Sequence, residues 1–257
     1  MGEYVQLGES KIWYEVTGDG EPVVLLHGGL SDGTAWGLQV PAVAERHRVF
    51  VPDRRGHGKS PDTEDPLDYD DMADETIAFL EAVVDGPAHL VGWSDGGIVA
   101  LLVSLRRPDL VRRQVLIGTN FHYEGLVPGF DTGDDPDAAS LAVIKAMYDG
   151  VALDPSHWPV FYAKSVSNFR TSPTMAASEL EDVSAPTLVL VADDDCIQHA
   201  HTVELFETIP DSQLAIVPGT SHMLHFEKPA LANQLILDFL AETDPPGTMF
   251  PMRRSHG

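Results

Sequence analysis

Two hydrophobic patterns run along this chain. Residues 4–7 and 11–17 alternate apolar and polar positions, as half-buried strands do, with a turn at Gly8 between them. Residues 22–26 are apolar without alternation, the pattern of a strand buried on both faces. Comparable runs follow at 48–52, 88–92, 114–118, 187–192 and 213–217. Between them, apolar spacing predicts helices over 34–46 (despite Pro41), 71–84, 95–107, 201–208 and 230–241. Strand and helix in repeated succession predict an α/β fold, a mostly parallel sheet of about eight strands wrapped by helices.

The rhythm breaks after Asn120. Residues 121–182 contain no buried-strand run, a helix-like stretch at 138–148, and aromatic residues at 158–162 and Phe169. The expected organisation is therefore a core of residues 1–120 and 183–242, a helical cap insertion at 121–182, and a tail at 243–257. That tail has paired prolines and no periodicity.

Composition narrows the function classes. The 257 residues are 43% hydrophobic, enough for a sizeable core, and no run approaches the roughly 20 apolar residues of a membrane span. No basic-then-apolar leader opens the chain, so a cytoplasmic protein without a membrane partner is expected. The formal charge of −24 argues against nucleic acid, whose phosphates it would repel. Ten acidic residues and no Lys or Arg fall at 61–85, and ten acids against three bases fall at 121–182. The single cysteine, Cys196, excludes an internal disulfide and any multi-cysteine metal site. Directly after a run of three carboxylates, its thiol is poorly activated and reads as a small buried filler.

Gly92-Trp93-Ser94-Asp95-Gly96 matches G-x-S-x-G. The pattern is short, but it follows a buried strand and precedes a helical run, the strand–sharp turn–helix setting that presents a nucleophile. The turn strains the backbone at the serine, so small residues must flank it. The bland alternative is a glycine-rich turn with a helix-capping serine. A serine hydroxyl needs a base to take its proton, and that base needs an acid to orient it. His222 lies just beyond the last predicted strand, at the carboxyl edge where Ser94 is expected; His225 is its competitor. The acid comes from Asp193, Asp194 or Asp195. Asp195 reaches furthest into its loop, leaving Asp193 and Asp194 as solvated turn residues or caps. Three adjacent carboxylates point in different directions, so no metal is expected, and no cofactor is required. Trp93, before the serine, is the candidate substrate contact. Asp95 caps the helix, or sets a carboxylate beside the nucleophile that would attract a cationic group. His27 reads as a turn-stabilising residue, and Arg54, Arg55 and Lys59 as partners of nearby acids.

These segments together resemble the α/β-hydrolase fold superfamily of the serine-esterase type. His27-Gly28-Gly29 is similar to the turn after the third strand, and Asp53 to Ser60 to the D-x-R-G-x-G-x-S loop. Ala192 to Asp195 resembles G-x-x-D with Ala192 for the first glycine, and Gly219 to His222 resembles G-x-x-H. The elbow is locally similar to the biphenyl-hydrolase-like esterases, valacyclovir hydrolase among them. The resemblance implies a triad of Ser94, Asp195 and His222, with an oxyanion hole from the backbone N–H of Gly29 and Asp95. It implies hydrolysis of a small or medium carboxylic ester, a small-molecule partner, through an acyl-enzyme. The alternatives are the same triad on a lactone, amide or C–C bond, cofactor-free perhydrolysis or haloperoxidation, and a non-catalytic binder. Oligomeric state is not read from the sequence.

Overall fold

Eight strands form one sheet in the computed structural model, which describes residues 2–130, 133–241 and 248–249. They are β1 (Gly2–Leu7), β2 (Ser10–Thr17), β3 (Glu21–Leu26), β4 (His47–Pro52), β5 (Ala88–Trp93), β6 (Val111–Ile117), β7 (Thr187–Asp194) and β8 (Ser212–Ser221). Their order is β1-β2-β4-β3-β5-β6-β7-β8. Only the pairs β1/β2 and β2/β4 are antiparallel. The helices are α1 (Val40–Val43), α2 (Tyr69–Phe79), α3 (Asp95–Arg106), α4 (Ala142–Val151), α5 (Trp158–Thr171), α6 (His199–Thr208), α7 (Leu224–Glu227) and α8 (Pro229–Leu240). Among the described residues, no helix is long and apolar enough to cross a membrane.

The unbroken apolar runs now have their reason. Successive strand side chains point to opposite faces. Val24, Leu26, Phe50, Leu90, Leu116 and Val189 enter one core with α2, α3 and α6. Val23, Leu25, Val49, Val51, Val91, Val115 and Leu190 enter the other with α1 and α8. Both faces are covered, so both sets must be apolar.

Two elements depart from the sequence reading. The helix predicted over 34–46 is a 3-10 turn at Gly33–Trp36, capped by Asp32, then the short α1. Pro41 has no N–H to donate and sits in the first turn of α1, where that loss costs nothing. The aromatic stretch at 158–162 is the start of α5, which continues to Thr171. Tyr148 of α4 stacks on Phe161 of α5 at 5.1 Å and lies 5.2 Å from Trp158, so the two helices share an aromatic seam. That seam joins the core on the α2/α3 face. Asp62, in the loop after β4, accepts from His157 Nε2 and Lys164 Nζ, each at 2.8 Å, tying α5 to the sheet side. Of the predicted tail, only residues 248 and 249 lie within the described residues.

Candidate active site

Ser94 ends β5 and opens α3 with φ +54° and ψ −118°. Its N–H donates to the Ile117 carbonyl at 2.8 Å, which pins the turn to β6. A Cβ on Gly92 would stand 2.2 Å from the Gly96 carbonyl oxygen, and one on Gly96 would stand 2.0 Å from that of Leu26. Both glycines are thus required by backbone crowding around the serine.

Asp195 follows β7 and His222 follows β8, so both lie at the carboxyl edge with Ser94. His222 Nδ1 donates to Asp195 Oδ1 at 2.8 Å, and the Asp195 side chain is fully buried. The same carboxylate accepts from the N–H of Ile197 at 3.1 Å and of Ala192 at 3.4 Å. Burial pushes the Asp195 carboxyl up, but these bonds and His222 hold it below the ordinary carboxylate range. Burial likewise pulls His222 down, and Asp195, with a side-chain hydrogen bond to Cys196, outweighs it and raises His222 above an ordinary histidine. With Nδ1 committed, Nε2 is left to act. Trp93 Nε1 donates to the His222 carbonyl at 3.0 Å and fixes this loop to the elbow.

Ser94, His222, Gly29, Asp95 and Trp93 line one cavity of about 270 Å³. Its other walls are mainly apolar, including Leu30, Ile144, Met147, Phe169, Met223 and Phe226. Asp32 also lines it, and no Lys or Arg does among the described residues. A Cβ on Gly29 would lie 2.5 Å from Asp95 Oδ2 and 2.6 Å from Phe169 Cζ, so the Asp95 carboxyl stands against Gly29. Burial raises the Asp95 carboxyl; Arg54 and a hydrogen bond from Tyr69 oppose that rise.

Several neighbours differ from their sequence readings. Asp193, read as a solvated turn residue, is exposed yet accepts from Thr220 N–H at 3.1 Å, holding the loop that leads to His222. Cys196, read as a buried filler, is half-buried and lines the cavity. It escapes the core because the chain turns outward after β7, toward the cavity. Arg55 pairs with Glu75 at 2.8 Å and Lys59 approaches Glu15 at 3.8 Å, whereas buried Arg54 donates to the Gly28 carbonyl at 3.1 Å instead of to an acid. His27 keeps its structural role: Nδ1 donates to the Gly28 carbonyl and Nε2 accepts from Arg54 N–H. His225 is fully buried against Trp93 and Trp36, and burial brings it down to about 3, far from any base. Gly118 had no motif to mark it. Its φ of +54° and the His222 ring, 2.9 Å from where its Cβ would sit, leave room for no side chain. Phe169, Ile144 and Met223 carried no sequence signal as wall residues.

Residues 23–235 match the alpha/beta hydrolase family. The chain belongs to that family. It is 30% identical over 259 residues to a 2-hydroxymuconate semialdehyde hydrolase from Pseudomonas sp. strain CF600, covering 89% of each protein. It is 27% identical over 242 residues to the serine hydrolase BPHL of Mus musculus, covering 88% of this chain and 82% of that one. Among solved structures it resembles Est816, an N-acyl homoserine lactone degrading enzyme. The TM-score is 0.78 at 25% identity, covering 92% of this chain and 100% of that one. These family relatives are hydrolases or degrading enzymes that act on different bonds.

Proposed function

We propose that this protein is a serine hydrolase that cleaves small to medium carboxylic esters lacking a negative charge. Ser94 Oγ attacks the carbonyl carbon while His222 Nε2 takes its proton. The N–H groups of Gly29 and Asp95 hold the developing oxyanion. His222 then protonates the leaving alcohol, and water, deprotonated by His222, releases the acid from Ser94. Asp195 keeps the proton of His222 on Nδ1, so that Nε2 remains the acceptor. The β6–β7 insert serves as a cap over the acyl pocket.

One observation carries the reading: His222, which lines the same cavity as Ser94, is hydrogen-bonded to Asp195 buried behind it. The walls support the substrate class. A mainly apolar cavity lined by two acids, and by no Lys or Arg among the described residues, offers no opposite charge to a substrate carboxylate, which would be desolvated beside like charge. This weighs against the carboxylate-bearing compounds that the name of the muconate relative denotes. A lactone is a cyclic ester open to the same steps, and the likeness to the lactone-degrading enzyme makes it the second reading.

The test is hydrolysis of p-nitrophenyl acetate and butyrate by the native chain and by Ser94→Ala. We expect kcat to fall by about 10³-fold or more, with the circular dichroism spectrum unchanged. Retained activity in a folded Ser94→Ala would refute the mechanism.

A further inference from the structure

The proposed mechanism leaves one reactive side chain of the cavity unused. Cys196 is the chain's single cysteine, half-buried beside His222. Residues 195 and 196 belong to the loop after β7, and 222 to the loop after β8. A carboxylate oxygen, a thiol sulfur and an imidazole nitrogen from these three residues all lie within 4.8 Å of one another. The run 193–195 suggests a hard-metal site that its diverging carboxylates do not make. The fold instead gathers one of those carboxylates with a thiol and an imidazole.

That donor set selects the metal. Thiolate and imidazole suit zinc, whereas magnesium and calcium take oxygen ligands. A tetrahedral zinc ion with bonds of about 2.0–2.3 Å holds its ligands roughly 3.3–3.8 Å apart, so small side-chain rotations would close the site. Three protein ligands leave a fourth position, and the 22% exposure of His222 gives an ion and water access from the cavity.

We propose that Asp195, Cys196 and His222 form an inhibitory site for a thiophilic divalent cation of the zinc class. The thiol proton passes to solvent as the sulfur–metal bond forms, and no oxidant or reductant takes part. Neutral His222 has a single nitrogen lone pair. An ion on Nε2 occupies that lone pair. An ion on Nδ1 replaces the bond to Asp195 and leaves the ring proton on Nε2. In both cases the imidazole cannot accept the Ser94 proton, so metal binding and acyl transfer exclude each other. The inhibition rests on the triad reading; the binding does not.

Cobalt(II) reports the binding without reference to activity. A thiolate-to-cobalt charge-transfer band in this chain can come only from Cys196. We expect the band at one equivalent in the native protein and in Ser94→Ala, and its absence in Cys196→Ser and Cys196→Ala. Zinc should inhibit ester hydrolysis, reversibly with EDTA, while magnesium should not. Relative to each variant's own metal-free rate, zinc should act at least tenfold more weakly on the two Cys196 variants. No cobalt band in the native chain, or equal zinc inhibition with and without the thiol, would overturn the proposal. A cobalt band together with full activity of Ser94→Ala would support the metal site while removing the triad.

Discussion

At the scale of single residues, the interaction that matters most is the bond between His222 and Asp195. It is short, one partner is fully buried, and its effect on His222 has a definite sign. The neutral, proton-accepting imidazole exists above its pKa and is lost as pH falls through it. Asp195 raises that pKa, so the acid limb of kcat/KM should lie above the ordinary histidine value of about 6.5. In Asp195→Asn the limb should move to lower pH, and kcat should fall by about 10³- to 10⁴-fold because the ring tautomer is no longer held. A pH–rate profile of both proteins checks this; an acid limb at the same pH in both would count against the assigned pair. His225 offers a contrast within the same loop. It lies three residues on from His222 and is buried among aromatic rings with neither ring nitrogen hydrogen-bonded. Residue type alone does not make a base; the partner does.

At the scale of elements, the elbow is a collision avoided. β5 must turn into α3 within one residue, and α3 must pass close under the end of β3. Gly96 is the contact point, since any Cβ there would meet the carbonyl oxygens of Leu26 and His27 at 2.0 and 2.7 Å. Neither oxygen can retreat without moving β3 and the turn that carries Gly29. Gly96→Ala should therefore destabilise the fold by roughly 1–3 kcal/mol, as overpacked cores do. It should also lower kcat at temperatures where the protein remains folded. Urea unfolding with parallel rate measurements tests both; native stability in the variant would show that the elbow has more room than its geometry gives it. The stitching of neighbouring loops follows the same logic. Asp193 holds the Thr220 N–H, and Trp93 holds the His222 carbonyl, so the end of β8 is tied to β7 and the loop that follows it to β5.

At the scale of the molecule, the net charge of −24 acquires a location. One acid-rich stretch contains the loop after β4 and α2; the other lies in the β6–β7 insert, and both adjoin the cavity side through Asp62, α5 and Tyr69. Within the cavity, Asp32 and Asp95 add carboxyls, and among the described residues no Lys or Arg lines it, although buried Arg54 acts on Asp95 from behind the wall. A field of one sign above an apolar pocket favours neutral or cationic ligands and repels anions, most strongly at low salt. Matched cationic and anionic esters should therefore differ in kcat/KM by about tenfold or more at low ionic strength, with the gap narrowing as salt is added. Equal values at low salt would leave the acidic face as a solubilising surface only.

The sequence by itself determined the sheet, because strands covered on both faces must be apolar at every position and such runs are visible one by one. It also marked Ser94, Asp195 and His222, because each follows a strand and a parallel sheet delivers all its strand ends to one edge. What it could not contain are the contacts between loops distant in sequence. The sequence preferred His222 to His225 for its place just after the last strand; only the tertiary structure gave it a partner, bringing Asp195, 27 residues away, to 2.8 Å. It also broke the helix expected over 34–46 and extended α5 well beyond its aromatic start. It turned Asp193 into a loop tie and left Gly118 bare to admit the His222 ring. It moved Cys196 from the expected core to the cavity wall. Local pattern reflects which faces are buried; the partner across a cavity is set only when the chain has closed around it.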